Sequence, residues 1–122
     1  MARILVIEDD EEVRDLLDSL LTREGHEVAT AANGNQGVAA FQAKPFDLVI
    51  TDIIMPEKDG IEAIMDLRRG RPGLKLIAIS GGGRAEPENY LHSAQLLGAS
   101  RTLRKPFSNE AIVAAVQELL RA

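Results

Sequence analysis

The feature that most constrains the fold is a regular alternation between short apolar runs and segments with helical periodicity. Five short segments are typical of β-strands, at residues 4–7, 28–31, 48–51, 76–79 and 101–104. A helical segment follows each of them, at residues 13–21, 33–43, 61–70, 87–97 and 108–120. Strict alternation predicts right-handed crossovers, a parallel sheet and helices on both of its faces. We therefore expect an α/β protein, a doubly wound (βα)5 three-layer sandwich.

Apolar side chains at helical spacing predict which helix faces pack on the sheet. In the first helix the inward residues are expected to be Val13, Leu16, Leu17, Leu20 and Leu21. In the third helix they are expected to be Ile61, Ile64 and Met65. Gly25 is predicted to end the first helix, and Ser108 to cap the last one.

Composition limits the possible functions. A chain of 122 residues suits one domain, 1–122. The 19 acidic and 14 basic residues give a net charge of −5, which disfavours nucleic acid or an anionic membrane as partner. The absence of cysteine rules out disulfides and cysteine-bound metals. The first apolar run is too short for a signal peptide or a membrane span, so we expect a cytoplasmic protein.

Acidic residues follow two of the predicted buried strands. Glu8 and Asp9 come directly after the first strand, and Asp52 follows the third. The acids after Asp9 have a simpler interpretation: Asp10 caps the first helix, and the two glutamates that follow complement its positive end. If strands one and three are neighbours, Glu8, Asp9 and Asp52 converge on one pocket. Three close carboxylates cannot all stay ionised without a large cost unless a cation is bound, and hard oxygen ligands suit Mg²⁺.

Two further polar residues lie at the ends of the last two predicted strands. Ser80 ends the fourth strand and Lys105 follows the fifth. A hydroxyl and an ammonium both donate hydrogen bonds to phosphoryl oxygens. Together with the carboxylates they have the makeup of a phosphoryl-transfer site, with a metal, a carboxylate nucleophile and a cationic clamp.

These motifs, in this order and spacing, resemble the response-regulator receiver domain of two-component signalling in bacteria, the type found in chemotaxis regulators. The resemblance covers the whole chain and rests on residues 4–10, the segment 52–56 with Asp59 and Gly60, then Ser80, and 105–107. It implies a flavodoxin-like parallel sheet with the strand order 2-1-3-4-5.

The resemblance also implies a role for each site residue. Asp52 would be the phosphoacceptor, and Asp9 and Asp52 would bind Mg²⁺ directly, with Glu8 acting through water. The backbone carbonyl of Ile54 would complete the protein ligands. The phosphoryl oxygens would be contacted by Ser80 and Lys105, and the peptide bond before Pro106 would be cis.

The sequence departs from the family pattern at three places. Thr102 stands where the family usually has Tyr or Phe as the partner of the Ser80 switch, so we expect weaker or differently routed switching. The glycines at 81–83 predict either a flexible connector or a mobile loop that becomes ordered on phosphorylation. Ile54 is apolar where many relatives are polar and offers nothing to orient an attacking water, so we expect slow loss of phosphate.

The resemblance further implies partners. The phosphoryl group would come from the phosphohistidine of a sensor histidine kinase or a histidine phosphotransfer protein, and a downstream protein would read the changed surface. Because the five units use the whole chain, we expect a stand-alone receiver without an output domain, as a monomer or weak dimer. We do not expect an enzyme, since the phosphoryl group ends on the chain itself.

Three other functions fit parts of the pattern. A small Mg²⁺-dependent phosphohydrolase would use Asp52 as nucleophile, but it needs a second acid where Ile54 stands. A dinucleotide-binding domain needs glycines in the first loop, where this chain has acids. The third alternative is a receiver fold that binds partners without taking phosphate, although the groups needed for phosphoryl transfer are present.

Overall fold

The sheet has five parallel strands in the order β2-β1-β3-β4-β5. The computed structural model describes residues 2–52, 60–71, 73–80, 100–104 and 106–121. The strands are β1 (Arg3–Ile7), β2 (Glu27–Ala31), β3 (Leu48–Asp52), β4 (Lys75–Ser80) and β5 (Arg101–Arg104). The predicted fold class, strand positions and strand order are confirmed.

Four helices lie within the described ranges and cover both faces of the sheet. They are α1 (Glu11–Arg23), α2 (Gly34–Ala43), α3 (Gly60–Gly70) and α4 (Asn109–Arg121). One apolar cluster packs α1 and α4 on one face, and a second packs the other face beside α2 and α3. The helix predicted at 87–97 and the loop at 81–83 lie outside the described residues.

Side chains at the helix ends account for the helix boundaries. Asp10 caps α1, because its Oδ1 accepts hydrogen bonds from the N–H groups of Glu12 at 3.0 Å and Val13 at 3.4 Å. Ser108 caps α4, since its Oγ accepts from the N–H of Ala111 at 3.0 Å. After α1 the chain turns at Gly25, whose φ of +95° favours glycine. All three boundary predictions are confirmed.

Two predictions of inward residues were wrong. Leu16 is 44% exposed, because it lies about 100° around the helix axis from the fully buried Leu17 and falls at the edge of the packed stripe. Met65 is 46% exposed. Among the described side chains of α3, those of Ala63 and Leu67 are buried, and Met65 lies nearly opposite them on the helix. The side chains of Ile61 and Ile64 lie outside the described part of the structure.

No helix in the part of the chain that the structure describes combines the length and the apolar composition needed to cross a lipid bilayer.

Candidate metal centre at the carboxyl edge of the sheet

Three carboxylates meet where β1 and β3 end. The register pairs Ile7 of β1 with Thr51 of β3, so the residues that follow each of them, Glu8 and Asp52, lie side by side. One oxygen from each of Glu8, Asp9 and Asp52 lies within 4.8 Å of the others. The predicted convergence of these three carboxylates is confirmed.

Strand alternation explains why acids occupy this position. Successive side chains of a strand point to opposite faces, so Glu8 continues the row of Ile4 and Val6. The row formed by Leu48 and Ile50 likewise continues to Asp52. Glu8 also extends the ladder beyond β1, because its N–H donates to the carbonyl oxygen of Ala31 at 3.0 Å. Both acids therefore occupy the next layer above an apolar core.

The two strand-end acids are buried and the third is exposed. Glu8 is fully buried and Asp52 is 2% exposed, whereas Asp9 is open to solvent. Ionised carboxylates this close repel one another, and burial removes the water that would screen them. A small divalent cation relieves both costs, and carboxylate oxygens are its preferred ligands. The donor set therefore fits Mg²⁺, with Asp9 on the solvent side.

The loop that carries Glu8 and Asp9 is held by local hydrogen bonds. Oε2 of Glu8 accepts from the N–H of Asp10 at 3.1 Å, which turns the loop back towards the strand. Nη1 of Arg14, in the first turns of α1, donates to the carbonyl oxygen of Glu8 at 2.9 Å. With Asp10 also committed to the cap of α1, the backbone between Glu8 and α1 is fixed from both ends.

A close approach of α2 to β1 supports the same loop from below. A Cβ atom on Gly37 would overlap Cδ1 of Ile7 and lie 2.6 Å from its Cγ1. Ile7 is fully buried and directly precedes Glu8. The glycine therefore allows α2 to pack against the last residue of β1, immediately below the acids.

Of the other predicted site residues, the structure describes some and not others. Ser80 is the last residue of β4, one position beyond the residue paired with Asp52, so its backbone lies at the same edge of the sheet. Thr102 is half-buried on β5 and pairs with Ala78. Lys105 and Ile54 lie outside the described residues, as does the peptide bond between Lys105 and Pro106. Their predicted roles, and the cis bond, stay predictions.

Two residues beside the centre were missed at the sequence level. Arg14 donates to the carbonyl oxygen of Glu8. Its position in the sequence, one turn into the helix that follows the acids, could have indicated a contact with them. Thr51 is fully buried directly before Asp52, and the available signal was a hydroxyl within an apolar strand.

Comparison with known proteins gives a family match over nearly the whole chain. The family model of the response regulator receiver domain matches residues 4–117. The chain is 35% identical over 127 residues to the DNA-binding transcriptional regulator NtrC of Azospirillum brasilense, covering 99% of this chain and 24% of NtrC. It spans 24% of the length of NtrC and 51% of that of the CpxR homolog of Haemophilus influenzae.

Solved structures that are similar over almost their full length include two response regulators. A response regulator receiver domain protein from Clostridium thermocellum superposes with a TM-score of 0.90 at 28% identity, covering 99% of this chain and 95% of that one. The response regulator TrrA from Thermotoga maritima, in complex with Mg²⁺–BeF, superposes with a TM-score of 0.83 at 30% identity. The match covers 98% of this chain and 99% of TrrA.

Proposed function

The chain belongs to the response regulator receiver domain family of two-component signalling, and from that premise we propose that Asp52 accepts a phosphoryl group in a Mg²⁺-dependent reaction. The observation that carries the proposal is the convergence of Glu8, Asp9 and Asp52 within 4.8 Å. The complex of the similar TrrA with Mg²⁺–BeF supports a divalent cation as the occupant.

The chemistry of the transfer follows from the buried carboxylate. An oxygen of Asp52 attacks the phosphorus of a phosphohistidine, and a new P–O bond forms as the P–N bond breaks. The electron pair of the broken bond stays on the imidazole nitrogen, which takes up a proton. The product is a mixed anhydride on Asp52. When bound, Mg²⁺ supplies positive charge next to the carboxylates and the phosphoryl oxygens.

The remaining residues of the edge have separate tasks. Glu8 and Asp9 hold the cation beside Asp52, with Glu8 acting through water. The near-complete burial of Asp52 limits the access of water to the anhydride. Ser80 and Lys105 contact the phosphoryl oxygens, and these contacts transmit the effect of phosphorylation to β4 and β5. Because Thr102 cannot fill the space of an aromatic ring, the conformational coupling between Ser80 and β5 is weaker than in relatives or follows a different route.

The partners follow from the same proposal. The donor is a sensor histidine kinase or a histidine phosphotransfer protein, because both present a phosphohistidine. The response passes to a protein that recognises the phosphorylated surface. The chain is not an enzyme in this scheme, since the phosphoryl group remains on Asp52 rather than on a released product.

The test is incubation with acetyl phosphate and Mg²⁺, followed by intact-mass spectrometry. We expect the mass of one phosphoryl group on the wild type and none on Asp52→Asn. Asp10→Asn is the matched control, because asparagine caps a helix as well as aspartate does, and it should be labelled like the wild type. Equal labelling of Asp52→Asn and the wild type would overturn the proposal.

A further inference from the structure

Thr51 is a buried polar residue that the transfer chemistry does not use. It is fully buried in β3, directly before Asp52. Its neighbours across the sheet are Ile7 on β1 and Ala78 on β4, and both are fully buried apolar residues. A hydroxyl placed among such neighbours costs free energy unless it makes a hydrogen bond.

The hydroxyl makes that hydrogen bond to the phosphoacceptor itself. Oγ1 of Thr51 donates to the backbone carbonyl oxygen of Asp52 at 3.0 Å, in a buried environment. Valine has nearly the same shape, suits a buried strand at least as well and needs no partner. The apolar surroundings of β3 therefore do not require a hydroxyl at this position, and its hydrogen bond goes to Asp52.

We propose that Thr51 is a positioning residue for Asp52, through the hydrogen bond from its hydroxyl to the Asp52 carbonyl. This inference rests on the proposed function of Asp52. Asp52 is the last residue of β3, so its carbonyl stands where the regular ladder ends. Holding that carbonyl restricts rotation of the backbone at Asp52, and the carboxylate is attached to the same Cα atom. The orientation of the nucleophile towards Glu8 and Asp9 is restricted with it.

Thr51 acts only through the backbone. Adjacent residues of a strand point to opposite faces, so the side chain of Thr51 faces away from the carboxylates. It touches neither the cation position nor the phosphoryl group. Small errors in the orientation of a nucleophile slow a transfer reaction measurably, so the loss of this one restraint should appear in the rate.

The test compares Thr51→Val with Thr51→Ser, because the two variants separate stability from positioning. Thr51→Val removes the hydrogen bond but places an apolar methyl group where the hydroxyl was, so its stability should stay above that of Thr51→Ser. Its rate constant for phosphorylation by acetyl phosphate at saturating Mg²⁺ should fall about threefold to tenfold, the rate equivalent of one neutral hydrogen bond. Thr51→Ser keeps the donor and loses a methyl group from the core, so it should be less stable but react faster than Thr51→Val.

The proposal is supported if Thr51→Val is the more stable of the two variants and Thr51→Ser is the faster to be phosphorylated. A purely structural hydroxyl would make the rate follow stability, and a Thr51→Val variant as fast as the wild type would overturn the proposal. The Mg²⁺ dissociation constant, measured by calorimetry without a phosphodonor, gives an independent readout and should rise in Thr51→Val and recover in Thr51→Ser. If the wild type binds Mg²⁺ but takes no phosphoryl group, the proposed function fails and this constant alone decides the role of Thr51. A wild type that does neither overturns both proposals.

Discussion

Replacing Gly37 with alanine should destabilise the protein even though alanine is the better helix former. Alanine is favoured over glycine inside a helix by about 1 kcal/mol. The added Cβ, however, would overlap Cδ1 of Ile7 and lie 2.6 Å from Cγ1 and 3.3 Å from Cγ2. Overpacking of a filled core costs about 1–3 kcal/mol, and Ile7 is fully buried, so we take about 2 kcal/mol. The free energy of unfolding of Gly37→Ala should therefore be about 1 kcal/mol lower than that of the wild type.

Urea denaturation followed by circular dichroism measures this difference. Gly37→Ala should unfold at a lower urea midpoint, while the dependence of its unfolding free energy on urea concentration should not change. Its melting temperature should fall by about 4 °C. Gly70→Ala is the matched control, because Gly70 also lies in a helix but its added Cβ meets no atom within 4 Å. That variant should be at least as stable as the wild type.

The same substitution should also affect the carboxylates above it. Ile7 directly precedes Glu8, so any displacement of Ile7 is passed to the loop that carries Glu8 and Asp9. The Mg²⁺ dissociation constant of Gly37→Ala should therefore rise, whereas that of Gly70→Ala should not. A Gly37→Ala protein as stable as Gly70→Ala would refute the argument from close packing.

Two further predictions concern His26, directly before β2, and Asp10, at the start of α1. Burial and the nearby amino terminus lower the pKa of His26, with Glu24 opposing them, and its Nδ1 accepts a hydrogen bond from the N–H of Ala2 at 3.1 Å. The neutral imidazole therefore stabilises the fold above the unfolded pKa of about 6.5, and this contribution is lost as the pH falls below it. The urea midpoint should drop more steeply between pH 8 and pH 5.5 in the wild type than in His26→Gln, and parallel curves would contradict this. Asp10→Ala should lose about 1 kcal/mol of stability by removing the cap of α1, while Asp10→Asn loses little; equal urea midpoints for the two variants would contradict the capping role.

The fold follows largely from the sequence, because its elements are marked by strong local signals. Buried strands such as β1 and β3 are continuous apolar runs, and the caps at Asp10 and Ser108 use side chains within three residues of the groups they bind. The exposed position of Leu16 was not predictable in this way. Helical periodicity defines a broad stripe, and only the packing of α1 on the sheet decides which edge of it is covered.

The sequence predicts which acids form the candidate site, but not the contacts that hold them in place. The positions of Glu8, Asp9 and Asp52 at strand ends were enough to predict their convergence, because parallel strands bring their carboxyl ends to one edge. The contacts that hold those acids depend on tertiary distances. The approach of Gly37 to Ile7 and the reach of Arg14 to the Glu8 carbonyl join elements whose spacing no local pattern records.

The most direct test of the account is to locate the phosphoryl group after reaction with acetyl phosphate. Reduction of the acyl phosphate with borohydride, followed by tandem mass spectrometry, marks the modified residue. We predict a single modified position, Asp52, whose labelling requires Mg²⁺ and is lost in EDTA. Modification at a different residue, or equal labelling with and without Mg²⁺, would contradict the assignment of Glu8, Asp9 and Asp52 as a cation-dependent phosphoacceptor site.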